Sequence, residues 1–215
     1  MSLLQLEPYR AQHARWPARG RHVLAQFDDD RVVVYQAYRP SIGRFAAEHG
    51  HFLGGGFSLE RMSWIKPNFL WMMYRCGWAS KEGQEVVLAI WLARAAFDAI
   101  LAAAVPSTWD RDRFATREAW QVAVGASEVR LQWDPDHAPS GQLVERRAIQ
   151  LGLRGRTLAA YARPLRIEDL TGFVRDQRAA LAKGGLDALV TPREAVYPCS
   201  PETAALLRLD APPAG

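Results

Sequence analysis

Apolar residues recur along this chain in short blocks whose period changes several times, and each change marks an element. Arg31–Tyr38 is dense in β-branched and aromatic residues and reads as a strand. Asp28-Asp29-Asp30 before it is a turn signal. Pro40 opens a helix that runs to about His49, where Gly50 stops it. Residues 52–57 form a glycine-rich loop or short strand. Over residues 68–75 apolar side chains point nearly all round a helix, which predicts a buried element with Pro67 in its first turn and Gly77 at its end. Residues 85–92 are a continuous apolar run, the pattern of a central strand. An alanine-rich helix follows over 93–104. Residues 128–133 and 146–153 read as a hairpin joined through Asp134-Pro135-Asp136-His137 and the residues after it. In its second strand Ile149, Leu151 and Leu153 share one face, and Arg146, Ala148 and Gln150 the other. Residues 155–162 predict a short helix and 167–181 a longer amphipathic one.

Strands interleaved with helices in this order predict an α+β fold. The expectation is a single domain over 28–209, with a mostly antiparallel and split sheet packed against helices. Residues 1–27 are rich in Arg and His without a clean period, so they are expected as an arm or loosely packed lead-in. The Pro- and Ala-rich residues 210–215 are expected as a disordered tail. No apolar run approaches the roughly 20 residues that span a bilayer. The first residues also lack a basic-then-apolar leader pattern, so the expectation is a cytoplasmic protein without membrane contact. Cys76 and Cys199 stand far apart and outside any paired motif, which argues against a disulfide framework or a structural zinc site.

Charge adds one feature. The net charge is +4, and of 27 basic residues only Lys66, Lys81 and Lys183 are lysines. Arginine forks suit phosphate and carboxylate partners, so nucleotide or nucleic-acid contact enters the reading. The sharpest candidate is Lys66, just before a helix start. Helix N-termini present unpaired N–H groups, and Arg61 lies upstream, so the three make a candidate anion pocket; the alternative is a capped helix with a solvated lysine. Trp64, Trp71, Tyr74 and Trp78 interleave with Lys66 and Arg75. Such aromatics either stack on a base or ring or belong to the core. Asp134, Asp136 and His137 are metal-ligand types, but Asp-Pro-Asp is also turn chemistry, and no metal is expected there. Gly54-Gly55-Gly56 lacks the Gly-Lys-Ser/Thr ending of a P-loop.

Four stretches carry a resemblance: residues 34–38 (Val-Tyr-Gln-Ala-Tyr), 61–67 (Arg-Met-Ser-Trp-Ile-Lys-Pro), 69–75 (Phe-Leu-Trp-Met-Met-Tyr-Arg) and 132–135 (Gln-Trp-Asp-Pro). Over roughly residues 25–180 the chain resembles the family known as domain of unknown function 4291, which is defined by sequence and implies no activity. In layout the first half is also similar to ADP-ribosyltransferases. That resemblance implies an Arg or His on the first strand, a Ser, Thr or Tyr element near the middle and a late Glu. Gln36, Ser63 or Tyr74, and Gln150 stand at those places here. The functional expectation is therefore an ADP-ribosyltransferase-like domain that holds NAD or a related nucleotide. Lys66 and Arg61 would meet phosphate, Trp64 or Tyr74 would stack on a ring, and Gln36 and Gln150 would make polar contacts. The alternative is a non-enzymatic module that binds nucleic acid or a protein through its arginines.

Overall fold

A computed structural model describes residues 4–211, and an α+β architecture of two principal sheets emerges from it. The first sheet is antiparallel and three-stranded, in the order Arg166–Asp169, Val86–Ala93, Arg31–Tyr38. Val86–Ala93 is its centre, as its unbroken apolar run predicts. The second sheet runs Gly20–Arg21, Leu143–Leu153, Val129–His137, Ala104–Pro106, and Ser63–Ile65 also pairs with Leu143–Leu153. The hairpin forms in register, with Trp133 opposite Ile149 and Leu131 opposite Leu151. One bridge joins the sheets: the Tyr35 N–H donates to the Lys66 carbonyl at 2.7 Å and the Lys66 N–H returns to Tyr35 at 3.2 Å.

The three-stranded sheet is buried on both faces. Val32, Val34, Leu88 and Ile90 pack towards Val129, Leu131, Ile149, Leu151 and Leu153 of the second sheet. Val33, Tyr35, Val87, Ala89 and Trp91 form a second core with the helix Phe69–Cys76. Two-sided burial explains why these strands lack alternation. Helix Phe69–Cys76 has six of its eight residues buried, as an all-round apolar pattern requires. Its N-cap is Asn68, whose side chain accepts the Trp71 N–H at 2.7 Å. Pro67 therefore precedes the cap instead of opening the first turn. Gly77 closes the helix at φ 58°, a left-handed conformation that glycine adopts without a steric cost.

Three expectations need correction, and a fourth, the tail, falls mostly outside the described residues. Residues 4–27 are not a loose arm: Tyr9 and Trp16 sit in the second core, and Trp16 Nε1 donates to the Glu194 carbonyl at 2.8 Å. Of the expected tail, residues 212–215 lie outside the described residues, and Asp210 accepts the Arg21 N–H at 2.7 Å. Asp134, Pro135 and Asp136 are strand, not turn, because Val129–His137 continues to a bulge between Pro135 and His137. Residues 167–169 extend the three-stranded sheet, and the helix starts only at Thr171. Among the described residues no helix is long and apolar enough to cross a membrane.

Candidate functional site

The second sheet has two unlike faces. Val129, Leu131 and Trp133 alternate with Arg130, Gln132 and Asp134. On the partner strand Ile149, Leu151 and Leu153 alternate with Ala148, Gln150 and Gly152. The apolar sets meet the core. The polar sets share the other face, because registered residues of an antiparallel pair point the same way: Gln132 stands opposite Gln150, and Arg130 opposite Gly152. Trp64 also pairs with Gly152, and a Cβ there would lie 2.6 Å from Met62 Sδ and 3.1 Å from two Trp64 ring atoms. Glycine at this point therefore lets the indole lie against the sheet.

Lys66 ends this face. It is only 6% exposed, yet its ammonium makes one hydrogen bond, to the Trp64 carbonyl oxygen at 3.1 Å. Burial draws its pKa down to about 8, and the nearby Arg75 guanidinium pushes the same way. Asp134 offsets part of this. That carboxylate is held by two amides, accepting from Gln132 at 2.9 Å and from Gln150 at 2.6 Å. Lys66, Asp134 and Gln150 thus form one polar group, with Trp64 beside it. The edge is lined by helix Phe69–Cys76: Tyr74 stacks on His137 with centroids 3.5 Å apart, and Trp71 lies 5.5 Å from the same imidazole. Tyr74 keeps 45% of its surface exposed.

The remaining expected site residues do different things. Gln36 is locked. Its amide donates to Ser63 Oγ at 2.9 Å and to the Trp64 carbonyl at 3.0 Å, and its oxygen accepts from Tyr38 and Tyr161, each at 2.5 Å. Every hydrogen-bonding position of that side chain is taken, so it shapes the site without being free to meet a ligand. Ser63 belongs to the same network through Tyr38 at 2.9 Å. Arg61 is exposed and pairs with no carboxylate among the described residues. The helix mouth is not an open anion pocket, because the chain's own Glu194 carboxyl group fills it. Glu194, 3% exposed, accepts the Phe69 N–H at 2.6 Å and the Asn68 amide at 3.2 Å. Burial raises its carboxyl pKa far above the usual range, although the Phe69 N–H opposes the shift.

Gln132 and Glu194 are the residues that the sequence reading missed, and Asp134 was weighed only as a metal-ligand type or turn residue. Alternation through Gln132, Asp134 and Asp136 against Leu131 and Trp133 was the available signal for Gln132 and for the place of Asp134. Nothing local marks Glu194, which reaches Phe69 across 125 residues of chain. Asp136 is no metal ligand either: it is buried with Arg146, which meets it at 2.7 and 2.8 Å. Among the described residues no cluster of three or more His, Cys, Asp or Glu side chains is arranged to hold a metal.

A family model described as "Domain of unknown function (DUF4291)" matches residues 22–197, and the chain belongs to that family. No curated protein matches its sequence.

Proposed function

We propose that this member of the DUF4291 family is a cytoplasmic nucleotide-binding domain of ADP-ribosyltransferase-like layout, holding NAD or a related nucleotide against the polar face of its larger sheet. One observation carries the reading. Lys66 is nearly buried, its charge disfavoured by burial and by Arg75, and its ammonium is left with a single hydrogen bond. A lysine kept there at such a cost suits an anionic ligand group, which supplies the missing acceptors and stabilises its charge. Phosphate oxygens would meet Lys66 and Arg75. Asp134 and Gln150 would meet sugar hydroxyls or an amide, and the partly exposed Trp64 or Tyr74 would stack on a ring.

The proposal covers binding and not transfer. The place of the first-strand Arg or His holds Gln36, whose hydrogen bonds are all used within the protein. The place of the late Glu holds Gln150, engaged by Asp134. Free thiols at Cys76 and Cys199 agree with a reducing compartment.

The test is titration of NAD, ATP and a short oligonucleotide at low and raised salt. A closed nucleotide site predicts NAD or ATP affinity that changes little with salt. Affinity for the oligonucleotide alone, falling steeply with salt, would favour a nucleic-acid module instead.

A further inference from the structure

We propose that a cavity on the side of the larger sheet opposite Lys66 binds a terminal phosphate group, carried by a nucleoside monophosphate or by the 5′ end of an oligonucleotide. The cavity measures about 520 Å³ and lies between residues 106–111, the strands at 131–133 and 147, and the end of helix Pro201–Leu207. That volume is within the range of about 300–1,000 Å³ usual for small-ligand sites. Arg21, Arg111, Arg147 and Arg208 line it, with Trp109 and Trp133.

The decisive relation is between Arg21 and Arg147. They are register partners on neighbouring parallel strands, so their side chains leave the sheet on the same face, and both line the cavity. Like charges set side by side across strands repel. Among the described residues no carboxylate pairs with either guanidinium. Asp210 engages the backbone N–H of Arg21 and not its guanidinium. Arg147 donates only to the Trp133 carbonyl, at 3.1 Å. Asp110, the acid in the lining, is already taken by Arg208 at 3.1 Å, and Asp112 holds the same guanidinium at 3.0 Å. Arg111 sits 5.1 Å over the Trp109 ring. The lining therefore carries a surplus of fixed positive charge. A doubly charged tetrahedral anion placed between Arg21 and Arg147 removes the repulsion and accepts from both forks.

Trp133 points the ligand's other end. Its Nε1 donates to the Leu207 carbonyl at 3.2 Å, which fixes the indole and leaves it half-buried beside the arginines. A planar group next to the phosphate can rest on that ring. The inference does not depend on the Lys66 site: its charged groups belong to other strands and loops.

The experiment is calorimetry on the full chain with inorganic phosphate, adenosine 5′-monophosphate, adenosine, and an oligonucleotide with and without a 5′-phosphate. Phosphate and the monophosphate should bind and adenosine should not. Arg21→Gln and Arg147→Gln should each weaken binding about tenfold or more, while Arg156→Gln, an exposed arginine away from the cavity, leaves it unchanged. In phosphate-free buffer both arginine variants should melt no lower than the wild type, because a repulsion is removed. Binding of the 5′-phosphorylated oligonucleotide adds nucleic-acid ends as a source, and its failure leaves the free nucleotide as the source. The proposal is overturned if the wild type binds neither phosphate nor the monophosphate below about 10 mM. It is overturned equally if the double variant Arg21→Gln/Arg147→Gln binds phosphate and the monophosphate as tightly as the wild type, or if an oligonucleotide that binds does so as tightly without its 5′-phosphate as with it. Should the variants not fold, thermal melting of the wild type decides. A rise with phosphate that chloride at equal ionic strength does not reproduce supports the site, and its absence overturns it.

Discussion

Lys66 and Gln36 donate to the same acceptor, the Trp64 carbonyl oxygen, at 3.1 and 3.0 Å. The strand Ser63–Ile65 is thereby tied on one side to the buried tyrosine network and on the other to the polar face of the sheet. Gln36 is the joint between them. Replacing it by Leu leaves the Tyr161 hydroxyl without its partner inside the core, and Tyr38 and Ser63 with only each other. Each orphaned polar group costs about 1–3 kcal/mol, so Gln36→Leu should lower unfolding stability by roughly 2–4 kcal/mol in urea titrations. A loss under about 0.5 kcal/mol, the scale of an ordinary surface substitution, would show the network to be dispensable.

The buried lysine predicts a pH dependence. Its folded pKa is near 8 against an ordinary 10.5. Between those values the unfolded chain binds more protons than the folded one at this site, so stability contributed by Lys66 rises with pH across about pH 8–10.5 and is flat below. Lys66→Met removes both the burial cost and the slope. The variant should exceed the wild type by roughly 1–3 kcal/mol at pH 7, and the gap should shrink towards pH 10. Urea unfolding at the two pH values checks it. A gap that stays constant or widens with pH would contradict the burial of the charge.

The helix Phe69–Cys76 turns Leu70 and Met73 into the core, at 3% and 1% exposure. Leu70→Ala or Met73→Ala should each cost about 2–5 kcal/mol. Chemical denaturation measures this directly, and a loss below about 0.5 kcal/mol would place the helix on the surface.

Asp136 and Arg146 form a buried ion pair, and Arg146 also donates to the Pro17 carbonyl at 2.8 Å. Asp136→Ala strands a buried guanidinium and should cost about 3–5 kcal/mol. The double variant Asp136→Leu/Arg146→Met should recover much of that loss. Equal stability of the single and double variants would show that the pair is not isolated from water.

Where local chemistry decides an element, the sequence was legible. Pro40 and Gly50 bracket their helix as observed. The apolar run before Ala93 is the central strand, and the hairpin register follows from Ile149, Leu151 and Leu153 facing inward. The expected α+β class and the resemblance to the DUF4291 family both stand. Legibility failed where the deciding partner is distant. Asp134-Pro135-Asp136 has turn composition, but pairing with residues 147 and 148 holds its first two residues in a strand. Residues 167–169 suit a helix by pattern, yet the edge of Val86–Ala93 is there to be paired. The helix mouth looked open because nothing near Lys66 announces Glu194. Of the candidate residues, Lys66, Trp64 and Gln150 do share one face, with Tyr74 at its edge. Gln36 lies behind it, engaged in full.

The central claim is that Lys66 is held ready for an anionic ligand, and calorimetric titration of NAD and ATP into the wild type and Lys66→Met tests it most directly. The account predicts saturable binding of one of them at micromolar strength in the wild type and loss of at least about 100-fold in the variant, with the variant fully folded. The absence of saturable heat below about 1 mM in the wild type, or equal affinity in the two proteins, would contradict it.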